Sequence, residues 1–318
     1  MSVARRARRI LVLGGSGFVG RGLVRALAGL GYSVRVPTRN RARSRQLLVI
    51  PEAELVQSNV HDPADLRALV HGSHCVVNLV GILNERGHDG SGFVTAHVAL
   101  AEKLVAACQA AGVTRVLQVS ALKADAERAP SHYLRTKGRA EEVIIASGLE
   151  ATVFRPSVIF GPEDSFINRF AGLLRISPML PLACPNARFA PVYVGDVVAA
   201  CVAAVRSRLP GTYELCGPDI YSLEDIVRMI RSHLRLRRLI VPLPPFLSQV
   251  TASVGEYLPG KPFSRDNLAS LGVASVCVGD DLRSLGVSPQ SLAMRLGECL
   301  GETGRRRRLN GLRRRTHR

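Results

Sequence analysis

The sequence predicts an α/β protein: a doubly wound parallel sheet followed by a smaller C-terminal lobe. Three observations carry this. Over the first 160 of 318 residues, short β-rich apolar runs alternate with helical patterns, as in a parallel sheet covered by helices. Three glycines, Gly14, Gly17 and Gly20, fall where the first apolar run turns into the first helix. After Pro156 the alternation gives way to proline-rich, irregular segments.

Taken in order, the expected strands are Ile10–Leu13, Ser33–Val36, Glu54–Gln57, Cys75–Leu79, Val116–Val119 and Ala151–Arg155. Helical patterns lie between them near 18–30, 63–71, 92–111 and 131–147, and Gly31 and Gly112 stand where helices should stop. Connections of this length and hand belong to a Rossmann-type domain. Residues 161–190 are rich in Pro, Gly, Arg and Phe and read as an irregular lobe. A helix near 194–206, a strand Thr212–Cys216, a helix near 222–234, the segment VPLPPFLSQV and a helix near 289–300 follow. The expected division is residues 10–160, with the sheet completed from 191–218. Against it stand a small lobe from 161–190 and 219–300 and a basic tail, 301–318.

The formal net charge of +18 looks like a nucleic-acid signal, but its distribution argues otherwise. Residues 1–9 carry four arginines and residues 305–318 carry eight, with no acid in either; without those twelve, +6 remains. No basic motif interleaved with aromatics accompanies them, so no specific nucleic-acid partner is expected. The arginine-rich end suits an anionic membrane or an acidic partner, and a merely solvated tail equally well. No apolar segment with a cleavage signal follows the first arginines, and no run of about 18 uncharged apolar residues occurs. A cytoplasmic protein, peripheral on the inner face of the membrane, is expected. The seven cysteines are odd in number, never spaced Cys-x-x-Cys, and mostly set in apolar stretches; they read as reduced core residues rather than a disulfide framework. The eight histidines show no metal-ligand spacing, so no metal is expected.

In LGGSGFVGRG the glycines permit a tight turn and close backbone approach to a pyrophosphate, with Gly17, Phe18, Val19 and Gly20 opening the helix whose N-terminus faces the negative charge. The second strand runs into Pro37-Thr38-Arg39-Asn40-Arg41, with no acid to grip a ribose 2′-hydroxyl. Arg39 suits a 2′-phosphate, which favours NADP over NAD. Asp62, after the third strand, reads either as an adenine contact or as the cap of the helix that Pro63 starts. The fourth strand ends in Asn78-Leu79-Val80-Gly81, placing Val80 and Gly81 beside a cofactor.

Of 43 basic residues only Lys103, Lys123, Lys137 and Lys261 are lysine. Six tyrosines would give a Tyr-x-x-x-Lys pair about 0.08 times by chance, yet Tyr133 and Lys137 form one. One helical turn apart, they share a face, and a nearby ammonium favours phenolate, as a general acid/base needs. Ser120 closes the fifth strand at its carboxyl end, where open α/β sheets place their sites.

Strand-end Ser120, helical Tyr133-x-x-x-Lys137 and the upstream glycine loop resemble the short-chain dehydrogenases/reductases. The resemblance implies that Tyr133 passes a proton, Ser120 polarises a carbonyl or hydroxyl, and Lys137 binds the nicotinamide ribose. FRPSVIFGPED and PVYVGDVVAA resemble later motifs of the extended and atypical branches, which places Pro156 and Ser157 beside the nicotinamide; Asp196 there also reads as a helix cap. More narrowly, SHYLRTKGRAEEVI, RPSVIFGPEDSFINRFA, PVYVGDV and VPLPPFL…PFSRDNLASL resemble, over roughly residues 10–275, the nucleotide-binding accessory subunit of mitochondrial complex I and its bacterial relatives. That implies NADP(H) binding and two functions. One is an NADP-dependent oxidoreductase acting on a carbonyl, hydroxyl or quinone-related, lipophilic molecule. The other is a non-catalytic component of a respiratory or ubiquinone-synthesis complex.

Overall fold

Seven strands form one parallel sheet: β1 (Arg9–Leu13), β2 (Ser33–Thr38), β3 (Ala53–Gln57), β4 (Cys75–Asn78), β5 (Arg115–Val119), β6 (Glu150–Pro156) and, numbered in chain order, β11 (Gly211–Leu215). Their order across the sheet is β11-β6-β5-β4-β1-β2-β3. Each lies within two residues of its expected position. The computed structural model describes residues 8–85, 87–256 and 263–300; Arg5, Arg6 and the basic run 301–318 invoked above lie outside the described residues. The chain divides into two units. One holds the described residues through Pro156 with Val197–Leu215 and Gly279–Val287; the other holds Ser157–Asp196, Cys216–Val278 and the described residues from Ser288. Residues 279–287, read above with the small lobe, thus fall in the first unit.

In the first unit, β1 pairs with both β2 and β4, Ile10 lying against Val34 on one side and Cys75 on the other. The strand order reverses here, and that is the point at which doubly wound sheets open a crevice beyond their carboxyl ends. β1, β4 and β5 are buried on both faces, so their residues are buried in succession rather than alternately. Leu11 and Leu13 point to one face with Val76 and Val116. There they pack under α2 (Pro63–Val70), α4 (Ala99–Ala110) and α5 (His132–Ala146) through Leu66, Leu69, Leu100, Leu104 and Ile144. α1 (Phe18–Gly29) ends as expected: Gly31 (φ +80°) donates to Ala28 O at 2.9 Å and Tyr32 to Leu27 O at 3.2 Å.

α4 is preceded by one turn of α-helix, α3 (Ser91–Phe93), and a π-helical turn, Val94–Val98. The run Ser91–Ala110 is long and apolar enough to cross a membrane by length and composition alone. Leu100, Ala101, Leu104, Ala107 and Cys108 are nevertheless buried in the core beside the sheet.

The second unit, expected to be irregular over 161–190, is more ordered than that. It contains β7 (Ile159–Phe160), α6 (Phe166–Ile176), β8 (Met179–Leu182), β9 (Arg188–Phe189) and β10 (Val192–Tyr193). α7 (Val194–Ser207) leads back into the first unit. β12 (Tyr221–Ser222), α8 (Leu223–His233), β13 (Leu239–Pro242), α9 (Pro245–Gly255), α10 (Arg265–Leu271) and a helical stretch over residues 292–300 complete it, while α11 (Asp281–Ser284) lies in the first unit. Its core gathers Phe160, Ile167, Leu174, Leu180, Ile226, Ile230 and Leu296. Ser222 and Asp225 form a capping box that starts α8. Asp196, read as a helix cap, instead accepts the Gln290 N–H at 2.7 Å.

The cysteine reading is corrected. Cys216 and Cys277 form a disulfide with Cα atoms 6.0 Å apart, within the second unit. Sixty-one residues separate them, so no local spacing announces the pair. Cys75, Cys108, Cys201 and Cys299 are free and buried, as expected, and Cys184 is free but only half-buried.

Candidate functional site

The glycine turn is built around backbone contacts that leave no room for side chains. Gly14 takes φ +77°, and its amide neighbourhood is closed by hydrogen bonds from Gly15 to Val12 O and from Gly17 to Gly14 O at 3.2 and 2.9 Å. A Cβ on Gly20 would stand 2.3 Å from Gly14 O and 2.5 Å from Gly15 Cα, so α1 lies directly on the turn. Gly17 is the N-cap of α1, with no side-chain cap and no acid in the first turn. The first-turn N–H groups, Phe18 and Val19 among them, are therefore left for an anion, which is what a pyrophosphate requires.

At the neighbouring strand end, Asn78 is buried and holds the next turn. Its side-chain amide donates to Gln118 Oε1 at 2.8 Å, and its Oδ1 accepts the Val80 N–H at 3.1 Å. This shapes Val80-Gly81 against α5. Lys137 reaches across from that helix, only 4 % exposed, and donates to Val119 O at 3.1 Å and Val80 O at 3.4 Å. A Cβ on Gly81 would come within 3.0 Å of Lys137 Nζ. Burial pulls the Lys137 ammonium down to about 8, while the Glu141 carboxylate opposes the fall. Glu141, itself buried, is paired with Arg155 of β6 and so ties the lysine-bearing helix to the sheet.

Ser120 directly follows Val119, the residue whose carbonyl receives Lys137, and its N–H donates to Phe154 O at 2.7 Å. Its hydroxyl is buried and, among the described residues, has no hydrogen-bond partner. A buried hydroxyl without a partner is costly to keep. Tyr133 sits one turn before Lys137, edge-on to Phe93 and His97 at ring-centroid distances of 6.1 and 5.7 Å. The Ser131 hydroxyl caps this helix by accepting the Leu134 N–H.

Two groups in this region were not legible as site residues. His97 occupies the π-helical turn and is 2 % exposed. Its Nε2 accepts the Ile82 N–H at 3.2 Å, which assigns the ring proton to Nδ1, donating to Thr136 Oγ1 at 2.9 Å. The Thr136 hydroxyl in turn faces the carbonyls of His132 and Tyr133 at 2.8 and 3.0 Å. Burial, aided by the Lys137 charge, pushes His97 down to about 3, so it stays a neutral bridge between the Gly81–Ile82 turn and α5. Glu85 is the second: its carboxylate accepts the N–H groups of Gly90 and Gly92 at 2.7 and 2.8 Å and fixes the start of α3. A lone histidine in an apolar helix reads as core, and only the π turn, invisible in sequence, marks it out.

Arg39 is exposed at the end of β2, and no acid occurs from Thr38 to Pro51. Its charge and that of Lys103 reach half-buried His61, whose ionisation is lowered first by burial and then by both cations. Asp62 caps α2, its Oδ1 accepting the N–H groups of Ala64 and Asp65 at 2.8 and 3.2 Å. Pro156 closes β6 opposite Leu215. Ser157, in the second unit, donates to Ser275 O at 2.8 Å, so its hydroxyl is already engaged. No group of three or more His, Cys, Asp or Glu among the described residues could hold a metal ion.

A family model described as NAD(P)H-binding matches residues 14–165, which include the glycine turn, Ser120, Tyr133 and Lys137. The chain is 34 % identical over 259 residues to the mitochondrial NADH dehydrogenase [ubiquinone] 1 alpha subcomplex subunit 9 of Arabidopsis thaliana, covering 79 % of this chain and 64 % of that relative's length. It is 31 % identical over 237 residues to a ceramide reductase of Caulobacter vibrioides, covering 74 % and 73 %. Among solved structures, a UDP-glucuronic acid 4-epimerase of Bacillus cereus shares the fold at a TM-score of 0.73 and 18 % identity, over 92 % of this chain and 97 % of its own. The chain belongs to the NAD(P)-binding family that takes in the Caulobacter ceramide reductase, and it is similar to the complex I alpha subcomplex subunit 9.

Proposed function

We propose that this protein is an NADP(H)-dependent oxidoreductase acting on the carbonyl or hydroxyl of a lipophilic molecule, a quinone-related or acyl-chain compound. The observation that carries it is the unpartnered, buried Ser120 hydroxyl, one residue beyond the carbonyl that receives Lys137. A substrate oxygen would supply the partner that hydroxyl lacks.

Gly14, Gly17, Phe18, Val19 and Gly20 would hold the pyrophosphate, and Val80, Gly81 and Lys137 the nicotinamide ribose. Pro156 and Ser157 would lie beside the nicotinamide, and Asp62 near the adenine. Arg39, on an acid-free stretch with Arg41, would take a 2′-phosphate and so select NADP over NAD. When bound, the nicotinamide supplies or accepts the hydride. The protein's part is proton handling and positioning. Ser120 donates to the substrate oxygen, Tyr133 transfers the proton, and the Lys137 ammonium favours the phenolate that makes this transfer reversible. The neutral His97–Thr136 bridge adds no charge to compete with Lys137.

The test is turnover of NADPH with panels of quinones and long-chain ketones. Tyr133→Phe is expected to lower kcat by at least a hundredfold while changing NADPH affinity less than threefold. Turnover that survives this substitution refutes the assignment. The second reading, a non-catalytic accessory component of a respiratory or ubiquinone-synthesis complex, is supported by what the Arabidopsis relative is called. Tight NADPH binding with no turnover on either panel, and co-fractionation with a membrane complex, would favour it.

A further inference from the structure

One end of the second unit carries large aliphatic side chains in water, surrounded by arginines. Ile176, the last residue of α6, is 85 % exposed, and Leu173 one turn earlier is 42 % exposed. Met179 of β8 and Leu239 of β13, directly opposite in the parallel pair, are 50 % and 61 % exposed. Their neighbours Leu180 and Ile240 turn inward and are buried, so this two-stranded sheet has one core face and one apolar face in solvent. The segments are fastened together. Arg238 Nε donates to Leu174 O at 3.1 Å, the Leu239 N–H to Pro178 O at 3.0 Å, and Arg231 to Arg238 O at 3.2 Å.

Beside this face lies an open depression lined by Arg231, Arg235, Arg237 and Arg238. No acid occurs in residues 165–195 or 226–255, the two segments that build the surface. Among the described residues, no carboxylate forms an ion pair with Arg175, Arg231, Arg235, Arg237 or Arg238.

From this juxtaposition we infer that the Ile176–Met179–Leu239 face with its arginine rim docks the protein onto an anionic lipid bilayer. Aliphatic side chains flanked by cations insert at the boundary between headgroups and acyl chains, while guanidinium groups stay among the phosphates. An acidic protein partner would meet the arginines but would leave Ile176 and Leu239 without an apolar counterpart. Each arginine near such a surface contributes roughly fivefold in partition, so the rim and the aliphatic group act as two independent anchoring signals.

The experiment uses the full chain and a chain lacking residues 305–318, sedimented with vesicles of phosphatidylcholine alone or of equal parts phosphatidylcholine and phosphatidylglycerol. Both chains are expected to bind only the anionic vesicles. Arg235→Gln with Arg237→Gln should weaken binding by about twenty-five-fold, the product of two such factors. Ile176→Ser with Leu239→Ser should weaken it further at high salt, where screening leaves the apolar part dominant. These positions are exposed, and an unchanged far-ultraviolet spectrum and melting temperature establish that the variants are folded. Three results overturn the inference. The first is binding unaffected by the arginine pair; the second is binding lost when 305–318 is removed, which assigns it to the tail; the third is a dimer in solution that Ile176→Ser/Leu239→Ser dissolves, which makes the face a self-association surface.

Discussion

Replacing Lys137 with methionine should make the nucleotide-free protein more stable while destroying its capacity to bind nucleotide. The ammonium is 4 % exposed, and burial lowers it from 10.5 to about 8. Between pH 8 and 10.5 the unfolded chain holds this proton and the folded protein does not, so stability rises with pH across that window. Below pH 8 both states are charged and the folded state carries the full desolvation penalty. At 1.36 kcal/mol per pH unit the fall to about 8 corresponds to about 3 kcal/mol. The carbonyls of Val119 and Val80, at 3.1 and 3.4 Å, offset part of any gain, since each lost hydrogen bond costs about 1 kcal/mol. Methionine keeps the unbranched stem and removes the charge. A net stabilisation of about 1 to 2 kcal/mol at pH 7 follows. Urea unfolding without nucleotide, at pH 7, 8, 9 and 10, measures it. The natural protein should gain stability from pH 8 to 10 relative to the variant, and the variant should bind NADPH at least tenfold more weakly. A variant less stable than the natural protein at pH 7, or two parallel pH curves, would refute the reasoning.

Gly20→Ala places a methyl 2.3 Å from Gly14 O, a backbone atom that cannot swing aside, so about 1 to 3 kcal/mol of stability should be lost together with nucleotide affinity; unchanged melting would contradict the close approach. His97→Ala leaves the Ile82 N–H without its acceptor and should cost about 1 to 3 kcal/mol, read as a lower urea midpoint. Reducing the Cys216–Cys277 bond frees a 61-residue separation, for which chain entropy gives about 4 kcal/mol. A dithiol such as dithiothreitol should therefore lower the midpoint of the natural protein and leave that of Cys216→Ser where it is.

The first unit was legible because glycine and strand chemistry punctuate it. Gly14, Gly31 and Gly112 all take positive φ at the turns their spacing announced, and the buried strands are predominantly apolar. Tyr133, Lys137 and Ser120 were legible because their spacing coincides with a helical turn and a strand end. The second unit was not. β8 pairs with β13 across some sixty residues, and a two-stranded pairing of four residues each has too short a pattern to show its register. The Cys216–Cys277 bond hid for the same reason: pairing over distance leaves no local signature. Asp196 looked like a helix cap because caps are local; its actual partner, Gln290, is ninety-four residues away.

That bond also has a consequence for connectivity. The chain leaves the first unit after Leu215 and comes back to it at Gly279, and the bridged cysteines stand at those two crossings, Cys216 just after one and Cys277 just before the other. Residues 217–276 are therefore a covalently closed ring hung on the nucleotide-binding unit. A single proteolytic cut anywhere in that ring leaves one molecule of unchanged mass plus a water, and only a reductant divides it into two. The strand β11 and the 279–287 segment, joined where Asp281 accepts the Glu214 N–H at 2.7 Å, keep their spacing along the chain whatever happens inside the ring.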